Sequence, residues 1–489
     1  MKISLTNFLG GVNSNISPLL QPPNSLPVGA GVNGSYELGA LRKDTGYLIV
    51  STTLETGKSV LGLHDSKQTP AVHNIYATVN DSGDNDTQLF YKTLAGAWDE
   101  IPAAETNWGG KADINTEMET FIGYEFIVGH GDTDGFLPPG SVTNITFSPS
   151  VNVTSMPGAK YIKRYRDRLY IANCDISGTG YPYRVYFSSV PVAGAITWTV
   201  ADDFLDVGYG EQIMGMGSNW DRLVVFTEDQ AYFYDQSSFK QTWATGCANH
   251  RTIKNYGPFM FWADSDGLWV SGGGQPENVS GPVVDYIRSA TPSNFFGEIV
   301  DEEYHLYVGS VTVKGIGYSN CSVIFHIPTN TWRVREAADN MTIYGRIRGT
   351  SGNYLYMGAT DGNIYRKGKY TDATLLNTDN GDDIHANSEF APMWLGDLSI
   401  KKAIAKLTVI ADRALGVAIN ARVIDRNTRA LTPYKSIGKL EKYINTFDVN
   451  VDRGVFLQLA ISEYGSNPYF SILGLELDIE ADSEILKEL

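Results

Sequence analysis

The feature that most constrains the fold of this chain is a short pattern that recurs along it. Each copy has a β-rich run, a turn built on Asp, Asn or Gly, a second β-rich run and then an aromatic residue. Clear copies lie around Asp167, Asp221, Tyr304 and Tyr354. One such unit leaves sheet edges and apolar faces open, so it needs neighbours of the same kind. Copies spaced by roughly 35 to 55 residues predict a radial array of antiparallel sheets, an all-β fold with a six- or seven-bladed β-propeller.

The composition is typical of pleated, half-buried strands. Aromatic residues make up 12% of the 489 residues, and 50 glycines with 20 prolines supply many tight turns. Because 42% of the residues are hydrophobic and only 19% are charged, the chain is globular rather than disordered. The stretch 264–267, Asp-Ser-Asp-Gly, lies between apolar runs and predicts a hairpin. A chain of this length predicts two or three domains.

Residues 1–50 differ from the rest of the chain. Prolines between residues 18 and 27 block regular strand ladders, which predicts an extended N-terminal arm that leads into a first strand at 48–50. Large apolar side chains recur through this arm, and they are the candidate assembly residues: Phe8, Leu19, Leu20 and Leu26. Such a segment is stabilised only by a groove, either on this chain's own domains or on a neighbouring subunit.

Two further regions follow the arm. Residues 51–380 carry the recurring pattern of the propeller, and we expect a distant strand to complete its first or last blade, because closing the ring removes exposed edges. Near residue 385 the pattern changes to longer runs that alternate at period two, at 401–410, 417–423, 455–461 and 472–479. These runs predict a β-sandwich-like platform over residues 385–489.

The charge of the chain argues against a surface that grips nucleic acid. The net charge is −17 and the isoelectric point is near 4.9, whereas phosphate binding requires clustered Lys and Arg. The one dense basic stretch, 163–168, alternates along a predicted strand and is interpreted as a solvated strand face. An acidic surface instead lets DNA pass without trapping it, because like charges repel.

The sequence contains no motif typical of catalysis or of metal binding. The histidines never occur at ligand spacing, and Cys174, Cys247 and Cys321 are predicted to be buried, reduced thiols. The Asp-rich stretches 81–86 and 132–135 lack the spacing of a calcium loop and are interpreted as turns. We therefore predict no catalytic residue, no metal site, no cofactor and no enzymatic activity.

Nothing in the sequence suggests secretion or a membrane span. The first residues lack the apolar core of a signal peptide. No window approaches the roughly 18 consecutive apolar residues that a spanning helix needs. We expect synthesis in the cytoplasm.

Several short stretches resemble a known family of virion proteins. They are Asn-Phe-Leu-Gly-Gly at 7–11, Gly-Ala-Leu-Arg-Lys-Asp-Thr-Gly at 39–46, Asp-Arg-Leu-Tyr-Ile-Ala at 167–172, and Arg-Val-Tyr-Phe-Ser at 184–188 followed by Pro191 and Trp198. The family is the tail hub or nozzle propellers of short-tailed bacteriophages, also described as tail tubular or DNA-stabilisation proteins. The chain is compact beside the larger nozzles, so domains appended in some relatives are expected to be missing.

The resemblance implies a structural protein of the virion tail that is assembled in the host cytoplasm. It implies a homo-oligomeric ring, a hexamer, at the distal end of the portal and adaptor, with tail fibres or tailspikes attached outside. Genomic DNA would be held in the lumen, without sequence-specific binding, and then ejected through it. The acidic charge and the anchored arm agree with such a role.

Two other classes of protein are compatible with the same fold prediction. A monomeric propeller binding module would need no arm for assembly. A carbohydrate-active propeller would gather Asp, Glu, Tyr and Arg at its central funnel. A mass measurement separates the first class from a ring, and a glycan array or a hydrolysis assay tests the second.

Overall fold

The computed structural model describes most of the chain. The described ranges are 2–8, 10–27, 34–35, 40–50, 53–70, 72–81, 87–101, 114–129, 135–137, 153–154, 156–176, 178–192, 196–208, 210–219, 222–234, 237–349, 352–372, 376–395, 402–412, 416–424, 431–449, 451, 455–463 and 470–481. Within these ranges the fold is all-β, and the one α-helix is Val284–Arg288. The 3-10 helices are Pro18–Leu20, His250–Thr252, Gly281–Val283 and Pro292–Asn294.

Seven antiparallel sheets follow one another along residues 60–383, and each is built mainly from strands that are consecutive in the chain. Sheet 1 contains Val60–Lys67, His73–Asn80, Thr87–Thr93 and Asp99–Glu100. Sheet 2 contains Glu117–Phe121, Tyr124–Val128 and Gly135–Leu137. Sheet 3 contains Gly158–Tyr165, Arg168–Ile176, Thr179–Phe187 and Phe204–Asp206. A short parallel pair, Val153–Thr154 with Ile196–Thr197, lies outside these sheets.

Sheets 4 to 6 have the same meandering order, and in sheet 7 the strand Tyr47–Ile49 is inserted after three consecutive strands and pairs parallel with Thr378–Asp379. Sheet 4 contains Gly215–Asn219, Arg222–Phe226, Ala231–Tyr234 and Phe239–Trp243. Sheet 5 contains Lys254–Tyr256, Phe259–Asp264, Gly267–Ser271 and Glu277–Asn278. Sheet 6 contains Phe296–Val300, Glu303–Val313, Ile316–His326 and Thr331–Glu336. Sheet 7 contains Met341–Gly349, Gly352–Ala359, Ile364–Lys367, Tyr47–Ile49, Thr378–Asp379 and Asp382–Asp383.

The first strands of these sheets contact one another in chain order. First strands touch directly from sheet 1 to sheet 4 and from sheet 5 to sheet 7, and His250–Thr252 joins sheet 4 to sheet 5. The first strand of sheet 7 also contacts the first strand of sheet 1, where the Thr342 hydroxyl donates to the Val60 carbonyl at 2.6 Å. The series of contacts therefore returns to the sheet where it began.

The hairpin predicted at 264–267 is confirmed. One carboxylate oxygen of Asp264 accepts hydrogen bonds from the backbone N–H groups of Asp266 and Gly267, at 2.8 and 2.9 Å. Gly267 has a φ of +154°, and a Cβ placed there would lie 2.1 Å from the Ser280 hydroxyl oxygen. Glycine is therefore required at this turn for steric reasons.

A strand from the N-terminal part of the chain joins the last of the seven sheets, as predicted. Tyr47–Ile49 pairs antiparallel with Ile364–Lys367. The preceding residue, Gly46, packs so closely that an added Cβ would lie 1.9 Å from the Thr378 carbonyl oxygen. The Tyr47 hydroxyl donates to the Asp339 carboxylate at 2.9 Å, so a side-chain hydrogen bond also holds the strand in place.

Two further sheets contain the C-terminal strands. One is formed by Lys2–Leu5, Gly34–Ser35, Leu41–Lys43, Ser471–Ala481, Lys402–Asp412 and Ile444–Asp448. The other is formed by Ala386–Glu389, Met393–Trp394, Phe456–Glu463, Ala418–Ile424 and Lys435–Lys439. Alternate residues of the two sheets, such as Leu407 and Val409 on one and Leu457 and Leu459 on the other, are buried in a shared core. This core is continuous with Phe261 of sheet 5 and Trp332 of sheet 6.

The three cysteines are buried, as predicted from their spacing. Burial raises the pKa of the Cys247 thiol to about 12 and also raises the pKa of Cys321. Both thiols are therefore kept in the protonated, unreactive form. Of the Asp-rich turns, residues 82–86 and 130–134 lie outside the described part of the chain.

Candidate functional site

A closed loop near the N-terminus has the properties of a docking element. Val12 and Leu26 form an isolated parallel β-bridge, so the two ends of the loop meet. We call residues 12–26 the N-terminal loop. Compact loops whose ends are close together and whose interior is filled by their own side chains are frequently functional.

Hydrogen bonds inside the N-terminal loop fix its shape. The Gln21 side-chain amide donates to the carbonyls of Asn13 and Ile16, at 2.8 Å each. The Asn13 side-chain oxygen accepts from the N–H groups of Asn15 and Ile16, at 3.1 and 3.3 Å. These side-chain bonds satisfy several backbone polar groups of the loop from within.

Contacts from three other parts of the chain anchor this loop. The Val12 N–H donates to the Trp332 carbonyl at 2.8 Å, and the Ser14 N–H donates to the Pro282 carbonyl at 2.6 Å. The Ala391 N–H donates to the Ser25 carbonyl at 2.9 Å. The loop is thus fastened both to sheet 6 and to the C-terminal sheets.

The four candidate assembly residues separate into two pairs. Phe8 and Leu26 are fully buried in the large core, where Phe8 packs against Phe390 with ring centroids 5.6 Å apart. Leu19 and Leu20 are 51% and 77% exposed on the Pro18–Leu20 turn. The first pair anchors the segment to its own chain, and the second pair is free to contact a neighbour.

A buried ionic cluster holds the segment between the N-terminal loop and sheet 7. The Asp44 carboxylate is buried and lies 2.9 Å from the Lys367 ammonium, with Arg333 and Arg335 on its other side. Burial opposes ionisation, but the charges of Arg333, Lys367 and Arg335 outweigh it and hold the pKa of Asp44 far below its usual range. Asp44 therefore stays ionised, and its negative charge offsets part of the positive charge of the three basic side chains around it.

Two more acidic residues extend this cluster. Glu303 accepts from the Arg333 guanidinium, and Arg335 pairs with Asp379 at the end of sheet 7. Burial disfavours the charged form of Glu303, yet Arg333 and His305 prevail and lower its pKa. His305, which sequence patterns placed in a strand, is thus a buried partner of Glu303 in sheet 6. His326 is in the same sheet and contacts Thr329.

A cavity of about 430 Å³ lies where the first strands of the seven sheets meet. Residues from all seven sheets line it, and its charged residues are Asp65, Glu117, Glu119, Glu298, Lys163, Lys254, Arg251, Arg346 and Arg348, with the imidazoles of His64 and His250. We call this space the central cavity. Ile162 and Met216 of its lining are buried, whereas Met118 and Ile253 are partly exposed, so the wall combines charged and apolar side chains.

Ion pairs join different sheets around the central cavity. Lys163 of sheet 3 lies 3.2 Å from Glu119 of sheet 2, and Lys254 of sheet 5 lies 3.0 Å from Glu298 of sheet 6. Glu119 raises the pKa of Lys163 against the effect of burial, so the ammonium stays charged.

One histidine of this wall has an assignable tautomer. The Met216 N–H donates to His250 Nδ1 at 3.0 Å, so Nδ1 carries a lone pair and the proton is on Nε2. Nε2 in turn contacts the Glu117 carboxylate. A neutral imidazole is therefore held in a fixed orientation between sheet 4 and sheet 2, and stacks on Tyr161 at 5.1 Å between ring centroids.

Sequence reasoning missed the central cavity, because its residues are scattered over the whole chain. Lys163 belongs to the basic stretch interpreted as a solvated face, and Arg164 and Arg166 of that stretch are indeed exposed. Lys163 instead points to the cavity and pairs with Glu119. The only signal was alternation within one strand, which separates two faces but does not identify what each face meets.

Among the described residues, no group of three or more His, Cys, Asp or Glu is arranged to hold a metal ion. In the same ranges, no helix has the length and apolarity needed to cross a membrane.

Comparisons with known proteins give no family assignment, since neither a family model nor a curated protein matches the chain.

Proposed function

We propose that sheets 1 to 7 form a seven-bladed β-propeller. Three observations support this architecture. The sheets are successive meanders, their first strands contact one another in a series that returns to sheet 1, and residues from all seven line one cavity. The strand Tyr47–Ile49 would act as the closing strand of the seventh blade. The C-terminal sheets, which include three strands from the first 43 residues, would form the platform beside it.

We propose that this chain is a subunit of a homo-oligomeric ring, a hexamer, in the tail of a short-tailed bacteriophage. The observation that carries this proposal is the N-terminal loop, which is fixed by contacts within its own chain and yet exposes Ile16, Leu19 and Leu20. The sequence stretches at 7–11, 167–172 and 184–188 support the assignment to a tail hub or nozzle. The ring would connect portal and adaptor to fibres or tailspikes.

The exposed aliphatic side chains are the proposed contact with the neighbouring subunit. Burying a Leu side chain contributes about 1.5–3 kcal/mol before ordering costs are subtracted. Since the N-terminal loop is already ordered in the single chain, little conformational entropy is lost when it docks. A small apolar surface of this kind can therefore contribute substantially to ring stability.

In this proposal DNA passes through the lumen of the ring and not through one subunit. The central cavity, at about 430 Å³, has the size of a small-molecule pocket rather than of a passage for a duplex. The net charge of −17 gives the ring a surface that repels the DNA backbone. The genome would be retained by the assembly as a whole and released without sequence-specific contacts.

Replacing Leu19 and Leu20 by serine is expected to prevent ring formation without unfolding the subunit. The two side chains are exposed in the single chain, so the folded state loses few contacts when they are shortened. Mass photometry and negative-stain imaging of the purified full chain should show rings for the natural sequence, and single subunits for L19S/L20S at the same concentration.

A matched control is available in the connection between the third and fourth strands of sheet 3. Val190 and Val192 are 46% and 75% exposed, close to the values for the two leucines, and they lie far from the loop in sequence. The variant V190S/V192S should form rings like the natural chain. A natural chain that remains a single subunit at high concentration, or equal ring formation by L19S/L20S, would refute the proposed assembly surface.

A further inference from the structure

The charge of the central cavity differs in sign from that of the whole chain. Its lining includes five Lys and Arg side chains against four Asp and Glu side chains, whereas the chain as a whole carries −17. Because water-excluding walls strengthen the field in a cleft, a local excess of positive charge attracts small anions even on an acidic protein.

The pairing of these charges leaves two arginines and one carboxylate. Three of the four acidic residues have a charged basic partner, Lys163 with Glu119, Lys254 with Glu298 and Arg348 with Asp65, whereas Glu117 contacts the neutral His250. In the described part of the chain, Arg251 and Arg346 have no carboxylate within ion-pair distance. Once the charge of Glu117 is subtracted, one net positive charge remains, and it belongs to these two side chains.

Arg251 is held in a fixed position without a direct carboxylate partner. One guanidinium nitrogen donates to the Thr342 carbonyl at 2.6 Å, and the group lies over the Phe296 ring at 5.2 Å from its centroid. Burial lowers the pKa of Arg251 to about 10, although Glu117 and Tyr161 act in the opposite direction. Glu117 compensates this charge only from beyond ion-pair distance, so a ligand carboxylate in direct contact with the guanidinium would stabilise it further.

Arg346 lies on the strand whose Thr342 carbonyl accepts from Arg251, and it is exposed. Along an extended strand, four residues span about 13 Å, so the two guanidinium groups act at different depths of the cavity. Arg346 is therefore suited to attract an anion at the opening, and Arg251 to bind it inside. The acidic residues Glu119 and Glu298 remain able to accept hydrogen bonds from hydroxyl groups of the same ligand.

From this geometry we infer that the central cavity binds a small hydroxylated carboxylate of sugar size, with its carboxylate on Arg251 and its hydroxyl groups on the acidic wall. The volume of about 430 Å³ is in the range of small-molecule pockets. A guanidinium can donate two parallel hydrogen bonds to a carboxylate, and this bidentate geometry favours a carboxylate over a neutral sugar. The inference stands independently of the tail assignment.

The test is a calorimetric titration of the purified full chain with sodium glucuronate, and with glucose as the neutral analogue of the same ring size. Saturable binding of one glucuronate per chain is expected, with affinity at least about tenfold higher than for glucose, which corresponds to one charge-assisted contact. Added salt should weaken the binding. Absence of saturable glucuronate binding, or equal affinity for glucose, would overturn the inference.

Variants assign the binding to the two arginines. Arg251→Gln should abolish glucuronate binding, and Arg346→Gln, whose exposed side chain is not needed for folding, should weaken it several-fold. Arg288→Gln is the matched control, because Arg288 is an exposed arginine outside the cavity that pairs weakly with Asp266. Unchanged affinity in Arg346→Gln would refute the role of Arg346 at the opening of the cavity, and this result does not require Arg251→Gln to fold. Reduced affinity in Arg288→Gln would refute the assignment to the cavity, because it would show that only the overall charge of the protein matters.

Discussion

Replacement of Asp44 by asparagine is expected to destabilise the protein by about 3–5 kcal/mol at neutral pH. Asparagine has nearly the same shape but no charge, so Arg333, Lys367 and Arg335 would remain buried close together without their shared counter-ion. Glu303 and Asp379 would still pair with Arg333 and Arg335, but the buried Lys367 ammonium would lose the Asp44 carboxylate, and removal of one partner from a buried ionic cluster costs more than the pair itself contributes. Urea unfolding followed by tryptophan fluorescence at pH 7 measures the effect.

The destabilisation should also depend on pH in a defined direction. Because the pKa of Asp44 is lowered on folding, its contribution is fully present above the ordinary carboxyl pKa of about 3.9 and is lost as the pH falls below that value. The difference in unfolding free energy between the natural chain and D44N should therefore be roughly 1 kcal/mol smaller at pH 3 than at pH 7.

The matched control for this variant is D206N. Asp206 pairs with Arg184 at 2.6 Å, but its side chain is half-exposed. An exposed pair of this kind contributes about 0.2–1 kcal/mol. Equal effects of D44N and D206N, or a D44N effect that does not change between pH 7 and pH 3, would contradict the description of Asp44 as the centre of a buried charged cluster.

Truncation of Phe8 to alanine is expected to destabilise the protein by about 3–5 kcal/mol. Phe8 is fully buried and packs against Phe390, in the same core as Val12, Leu26 and Trp332. The loss of its ring would leave a cavity between the N-terminal segment, sheet 6 and the C-terminal sheets. Thermal unfolding monitored by circular dichroism should show a clear decrease in Tm.

The companion variant L20A compares an exposed residue, proposed to contact a neighbouring subunit, with the buried Phe8, which stabilises the fold. Leu20 is exposed, so its truncation should change the unfolding free energy by no more than about 0.5 kcal/mol while weakening ring formation. If F8A unfolded at the same temperature as the natural chain, Phe8 would not be an anchor. If L20A were as destabilising as F8A, the exposed position of the Pro18–Leu20 turn would be wrong.

The parts of the fold that could be predicted from the sequence are those determined locally. The turn at 264–267 requires only a carboxylate that caps backbone N–H groups and a glycine where no Cβ fits, and both are visible in the sequence. Hairpins of this kind repeat, which explains why the all-β class and the sheet-by-sheet order could be anticipated.

The other features depend on contacts between distant residues. Nothing in the local sequence distinguishes Phe8 and Leu26, which are buried, from Leu19 and Leu20, which are exposed, because the four share the same apolar chemistry. The difference comes from where sheet 6 and the C-terminal sheets meet the segment. The central cavity could not be predicted either, since Arg251 and Arg346 line one space only when the seven sheets are assembled.

The anchoring of the N-terminal loop has a consequence for synthesis. The loop is translated well before the backbone groups that fasten it, those of Trp332, Pro282 and Ala391. Lys2–Leu5 likewise waits for a partner at Leu475–Asp478. A nascent chain that does not yet reach these residues lacks the hydrogen-bond partners of its own loop. Leu19 and Leu20 therefore reach their final position only after the C-terminal strands have been made.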